Sequence, residues 1–343
     1  MRLMPPADPQ HLLVNQPGDT QPGHAPLVVR LRNWVGDVVL SVPTLQRLQS
    51  AGFELHLIGK GWAADLLAGF GWTIHKLPAS HGDRLRQLRQ LRKALGSTGS
   101  TPLGLTFPYS FSSALEMRLA GLPPTGFAYE GRSLLLRHAV PRPAGLHTLE
   151  EYWALGSAFL GAQAPVPQRI AWRVHPEAQA QAQALISQHG VAPGFVVACP
   201  FAGGTFEGQD KHWPAFADFI DRLMQQTERQ VVLCPGPGDE VQAARRDHPR
   251  AITLEGVGMG AYAALMNQAA LVVSNDTGPG HLAAAVEAPL LSVLGPTDPG
   301  LWRPWGPRVH IERQWPRWPT VEQVLVRARS ILEPLTSSLK HER

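Results

Sequence analysis

The sequence predicts an α/β protein built as two parallel-sheet domains facing a central cleft. Three observations carry that expectation. The 343 residues, at about 150 per domain, are enough for two cores. From Pro26 onward, short apolar runs alternate with helical patterns, as parallel strands joined by crossover helices do. The alternation then restarts after GAQAPVPQRIAW, residues 161–172, whose Gly and Pro mark a boundary. The expected division is a tail at 1–25, a first domain at 26–165, a second at 166–335 and a short tail at 336–343.

Taken in order, the first 25 residues are rich in Pro and Gln and hold no period, which reads as a flexible tail. PLVVRL is the first strand, followed by a helix from about Gly36 to Gln49. FELHLIG, a helix near Trp62–Ala68 and TIHKL come next, and a helix over Thr148–Leu160 precedes the boundary. The second half is the cleaner alternation. GFVVACP, a helix from Trp213, QVVLCPG, a helix near Glu240–Asp247, AITLEG, AYAALMNQ, LVVSND, HLAAAV and PLLSVLG follow one another.

Composition narrows the class. Hydrophobic residues are 44% and charged residues 17%, which excludes wholesale disorder and a polytopic membrane protein. The start of the chain has no signal-peptide h-region, so the expected location is the cytoplasm. The two cysteines, Cys199 and Cys234, each close an apolar run and read as buried strand residues, not as a disulfide or metal framework. Fourteen His supply no H-x-x-x-H or H-x-x-E-H pair, so no metal site is expected.

The net charge of +4 is unevenly spread. Residues 27–165 hold 14 Lys and Arg against 8 Asp and Glu, and residues 166–343 hold 16 against 17. The front half is therefore the basic half. Its densest run, RLRQLRQLRK, contains Arg84, Arg86, Arg89, Arg92 and Lys93 at helical spacing. Such a run is either a solvated helix face or a surface for an anionic partner.

Residues 271–299 are the most informative. A strand ends in Ser274-Asn275-Asp276, Thr277-Gly278 make a turn, and Pro279 opens a helix that also carries His281. A helix N-terminus at a strand's carboxyl end suits phosphate, because unpaired N–H donors and the positive end of the dipole point at the ligand. A plain helix cap by Asp276 or Thr277 is the alternative. CPFAGGTFEGQDKHWP, residues 199–214, reads as a flexible Gly-rich loop delivering Lys211, whose ammonium suits a diphosphate. VVLCPGPGDE sets Asp239 and Glu240 just past a strand end, where a carboxylate can hold ribose hydroxyls or simply charge a helix start. Asp37 stands at a strand-to-helix turn behind Gly36, as a general base or an N-cap would. GVGMGA, residues 256–261, satisfies G-x-G-x-x-A, so a nicotinamide-dependent oxidoreductase is the runner-up function; a non-catalytic nucleotide-sugar-binding module is the third.

The stretches RLRNWVGDVVLSVPTL, GLHTLEEYWALGSAFLG, DKHWPAFADFIDRL and NDTGPGHLAAA with LGPTDPGLWRPWG together resemble the ADP-heptose:lipopolysaccharide heptosyltransferases of glycosyltransferase family nine. The resemblance runs over about residues 26–335. It implies a GT-B fold of two Rossmann-like domains, inversion at the anomeric carbon, no essential metal and no cofactor besides an ADP-linked sugar as co-substrate. By the same resemblance Asp37 corresponds to the general base and Lys211 to the donor-phosphate lysine. Thr277 with Gly278 corresponds to the phosphate turn, Asp276 to the holder of the sugar hydroxyls and Glu240 to the ribose acid. Thr205 and His281 complete the donor-side candidates, and Arg30, Arg32, Lys60 and His147 are the acceptor-side ones in the basic half. The expected acceptor is an anionic glycan or glycolipid such as lipopolysaccharide inner core, reached through peripheral contact with the cytoplasmic face of the inner membrane. Nucleic acid is not among the expected partners. The residues leave open which donor sugar and which acceptor hydroxyl react.

Overall fold

The computed structural model describes residues 25–97, 101–203 and 205–333. The expected tails lie outside them, except for Ala25, which opens the first strand.

In chain order the first elements are β1 (Ala25–Arg30), α1 (Val35–Ser50), β2 (Phe53–Gly59), α2 (Ala63–Leu66), β3 (Thr73–Lys76) and α3 (His81–Gly96). They continue with β4 (Leu103–Thr106), α4 (Phe111–Leu119), β5 (Pro124–Ala128), β6 (His138–Pro141) and α5 (Thr148–Leu160). After these come α6 (Pro176–Gln188), β7 (Val196–Cys199), β8 (Thr205–Phe206), β9 (Gln209–Asp210), α7 (Phe216–Thr227), β10 (Val231–Leu233) and α8 (Asp239–Asp247). The chain closes with β11 (Ile252–Thr253), α9 (Met259–Gln268), β12 (Leu271–Ser274), α10 (Gly278–Ala285), β13 (Leu290–Val293), α11 (Pro299–Trp302), β14 (Val309–Glu312) and α12 (Val321–Leu332).

Two six-stranded sheets result, ordered β3-β2-β1-β4-β5-β6 and β11-β10-β7-β12-β13-β14, with every neighbouring pair parallel. Counted within its own sheet, each has the order 3-2-1-4-5-6, the doubly wound arrangement. The strands read as continuous apolar runs because both faces are covered: β7, β10, β12 and β13 are buried throughout. On one face of the second sheet, Phe216, Phe219, Ile220 and Leu223 of α7 pack with Val324, Leu325 and Ala328 of α12. Their spacing of three and four places them on one helical stripe.

Contacts divide the described residues into two compact units. One holds 25–33, 41–61 and 72–167, and the other 34–40, 62–71 and 168–333. This differs from a single cut at 165, because the first turn of α1 and the α2 segment pack with the second sheet's helices.

Three local expectations change. The helix expected from Trp213 begins at Phe216, because Trp213 is held outside it. Its backbone N–H donates to Asn275 Oδ1 at 3.0 Å and its indole N–H to the Pro319 carbonyl at 3.0 Å. The helix expected near Trp62–Ala68 stops at Leu66 and passes through a 3-10 turn to Gly71, at φ +69°. The loop before Lys211 is a hairpin, β8 against β9, turned by Glu207 and Gly208 at φ 50° and 77°. Two central residues at positive φ are what a two-residue hairpin of right-handed twist requires.

Candidate active site

In a sheet of this order, ligands bind beyond the strand ends where the order reverses, here between β7 and β12. Asn275 and Asp276 follow β12 and are buried, at 1% and 8% exposure. The Asn275 side chain ties three segments together. Its Oδ1 accepts from the Trp213 N–H, its Nδ2 donates to the Pro200 carbonyl, and its backbone N–H donates to the Cys199 carbonyl at 3.2 Å. This fixes the chain around Lys211 beside Asp276, with Lys211 Nζ 3.6 Å from Asp276 Oδ2. The same carboxylate oxygen accepts from the Thr297 hydroxyl.

Thr277 is extended, at φ −150° and ψ 161°, and makes no side-chain cap bond to α10. The plain threonine cap is therefore not formed. Four free donors are not available either: Pro279 has no N–H, and the Gly280 N–H donates to the Thr277 carbonyl at 3.0 Å. The helix end keeps its dipole while its donors are fewer.

Two glycines let another helix start reach this point. A methyl on Gly278 would lie 2.8 Å from Val35 Cβ, and one on Gly36 would lie 2.6 Å from the His281 ring. Asp37, half-buried in the first turn of α1, therefore stands next to the contact. His281 is itself buried, with no hydrogen-bond partner at Nδ1 among the described residues. Burial holds the imidazole below its ordinary value of 6.5; Asp276 and Asp37 pull the other way, and Lys211 adds to the lowering.

The other donor-side candidates stand apart from this cluster in the sequence and in role. Glu240 Oε2 accepts from the Gly236 N–H at 2.6 Å and so closes the turn after β10. Thr205 is exposed on the hairpin, paired with Asp210. Behind it, the Ala202 N–H donates to His212 Nε2 at 3.0 Å, so Nδ1 carries the proton and donates to Asp210 Oδ1 at 2.6 Å. The backbone and ring donors of His212 hold Asp210 below the usual carboxylate range.

The GVGMGA turn is filled. The Gly260 N–H, in the first turn of α9, donates to Asp65 Oδ2 at 3.1 Å, and a methyl on Gly258 would lie 2.6 Å from that oxygen. A carboxylate of the chain occupies the place a dinucleotide phosphate needs, and β11 before it is an edge strand. Cys199 is a buried thiol against the Tyr262 hydroxyl at 3.0 Å, pushed up to about 12 by burial. It has no thiolate to offer.

In the first unit the acceptor-side candidates separate by environment. Arg30 is 6% exposed and donates to the carbonyls of Leu31 and Ile58 and to Asn33 Oδ1, which makes it a brace at the end of β1. Burial lowers its guanidinium to about 10, against the pull of Glu116. His147 is buried, and its Nδ1 accepts from the Leu149 N–H at 3.2 Å while its own N–H donates to Glu150, so it caps α5. Lys60 is exposed at the end of β2. The Arg32 guanidinium lies 4.5 Å from the Tyr109 ring centre and that of Arg142 lies 4.4 Å from it. Tyr109 donates to Glu151 at 2.6 Å, and Arg142 donates to both oxygens of the same buried carboxylate. Tyr109, Arg142 and Glu151 were not singled out from the sequence. Their only signal was position: Tyr109 and Arg142 each stand just beyond a strand end.

The model of glycosyltransferase family 9 (heptosyltransferase) matches residues 88–328. Lipopolysaccharide heptosyltransferase 3 of Escherichia coli (strain K12) is 35% identical over 122 residues, a match that spans 34% of this chain and 35% of that protein. Lipopolysaccharide heptosyltransferase 2 of the same strain is 24% identical over 304 residues, covering 82% and 86%. Among solved structures, the glycosyl transferase family 9 protein of Veillonella parvula DSM 2008 superposes with a TM-score of 0.76 at 18% identity, over 91% of this chain and 98% of that one. The E. coli ADP-heptose LPS heptosyltransferase II gives 0.73 at 22%, over 89% and 98%.

Proposed function

Because the chain belongs to glycosyltransferase family 9 and has the GT-B fold, we propose that this glycosyltransferase moves heptose from ADP-heptose to a hydroxyl of the anionic lipopolysaccharide inner core, with inversion. The observation that carries the reading is the Lys211–Asp276 pair beside the start of α10, with the Asp37 turn packed on that helix. Two of the relatives above are named for heptose transfer to lipopolysaccharide.

In this reading the diphosphate lies against Lys211 and the Thr277–Gly278 turn. As the bond from the anomeric carbon to the diphosphate oxygen breaks, the charge growing on ADP meets the ammonium and the helix dipole. Asp276 takes sugar hydroxyls and Glu240 the ribose. Asp37 accepts the proton of the acceptor hydroxyl while its oxygen bonds to the anomeric carbon, so a single displacement inverts that centre. Arg32, braced on Tyr109, and Lys60, exposed at the end of β2, give the first unit cations for the acceptor's carboxylates or phosphates, while Arg142 on the same ring is matched by Glu151. The reaction is assigned to the cytoplasmic face of the inner membrane.

Thermal unfolding with ADP-, UDP- and GDP-sugars tests the donor, since a ligand of the folded state raises stability by mass action. The midpoint should rise with ADP-heptose and ADP, and not with NAD. Transfer to deacylated inner-core acceptor, followed by the anomeric coupling of the product, tests the rest. Protection by UDP- or GDP-sugars alone, or a product that retains configuration, would overturn the reading.

A further inference from the structure

Helix α4 carries Phe111, Leu115 and Leu119 at intervals of four, which places them on one helical face. That face is not packed away: Phe111 is 47% exposed, Leu119 54%, and Leu115 half-buried. Beside it the 3-10 turn Arg132–Leu135 holds Leu134 at 88% exposure. The turn is fixed to the start of α4 by the fully buried Arg132, whose guanidinium donates to the carbonyls of Phe127, Pro108 and Ser110. The apolar side chains therefore stand out from a braced support.

The flank of this face is cationic. Arg89 of α3 donates to the Leu119 carbonyl at 3.4 Å, and Arg92 lies so near Gly121 that a methyl there would meet its Nε at 3.0 Å. Both arginines are exposed, as is Arg118. Arg84 and Arg86 of the same helix are matched by Glu116 and Asp83. Arg89, Arg92 and Arg118 have no carboxylate within 4.0 Å among the described residues. Exposed apolar side chains bordered by unmatched cations suit one surface on both counts: the boundary of an anionic bilayer, where the former enter the acyl edge and the latter meet lipid phosphates. Four side chains fall far short of the roughly 20 residues a side that a stable protein interface needs.

We propose that the outer face of α4, with Leu134 and the Arg89–Arg92–Arg118 border, docks this protein on an anionic lipid bilayer. No helix of the described residues is long and apolar enough to cross a membrane, so the contact is peripheral. The proposal rests on the reading above for its purpose, the capture of a lipid-borne acceptor; its test does not depend on sugar transfer.

The full chain is floated with vesicles of phosphatidylcholine alone and of phosphatidylcholine mixed with phosphatidylglycerol. It should bind the mixed vesicles, less so in high salt, and leave the neutral ones. Phe111→Ser with Leu134→Ser should weaken binding about ten-fold or more, and Arg89→Gln with Arg92→Gln about ten-fold, at wild-type unfolding midpoints. With transfer measured as well, the apolar pair should raise KM for acceptor in vesicles and leave KM for deacylated acceptor unchanged. Wild-type protein that ignores anionic vesicles, variants that bind like wild type, or variants that abolish self-association without vesicle binding would each sink the proposal. Vesicle binding without transfer to any acceptor would instead count against the function proposed above.

Discussion

At Asp37 the expected chemistry can be separated from support. Asp37→Asn keeps the shape of the side chain and removes its basicity, so turnover should fall roughly 100-fold or more while ADP affinity stays within a few-fold. Single-turnover kinetics beside ADP titration check this, and normal turnover would make the residue a cap. Lys211→Ala should weaken ADP more than AMP, because a charge-assisted contact to the outer phosphate contributes about 1.5–3 kcal/mol. Equal losses would move the ammonium away from the diphosphate. Lys211, Asp276 and Asp37 are candidates already in the sequence because each follows a strand, and strand ends are where this topology puts ligands. Glu151, Arg142 and Tyr109 are not, since a carboxylate in the middle of one helix, an arginine after a distant strand and a lone tyrosine become a cluster only through tertiary contact.

Helices α1 and α10 meet through glycine, and the elements can be tested by filling the contact. Gly36→Ala would drive a methyl into the His281 ring at 2.6 Å, which overpacking usually makes costly by about 1–3 kcal/mol unless the helix start moves away. Displacing the Asp37 turn should lower kcat more than ADP affinity. Wild-type kcat in this variant would show that the close approach has no part in catalysis. The element order of the second half was legible because strands buried on both faces are uniform apolar runs, as LVVS and LLSV are. Elsewhere tertiary bonds override the local pattern. Trp213 has the local pattern of a helix start, but its two N–H groups are committed to Asn275 and Pro319, so the helix begins at Phe216.

For the molecule as a whole, the buried histidines set an acid limit. His248 and His281 are both held below 6.5 with burial as the largest cause, so both are neutral when folded near neutral pH. On lowering pH the unfolded chain binds protons first, and stability, complete above 6.5, is lost as pH falls through the folded values. Thermal midpoints should decline from about pH 6.5 downward, and His248→Gln should flatten the slope. A flat profile in the wild type would refute the assignment. Pairing leaves the charge excess of residues 27–165 as it is, because Glu116, Asp83 and Glu151, which match Arg84, Arg86 and Arg142, are already counted in it; the excess rests on the other cations.

The Asp65 carboxylate takes the backbone donor at the start of α9 that a bound anion would otherwise meet. GVGMGA is small for the sake of an anion, as dinucleotide turns are, and that anion is a resident of the chain. Glycine spacing reports that something negative comes close to a helix start; it does not report whose charge it is. Asp65→Ala should lower stability by about 1 kcal/mol and leave an empty anion seat, so sulfate in the buffer should restore part of the loss. A variant as stable as wild type, or one indifferent to sulfate, would show that the carboxylate is a bystander.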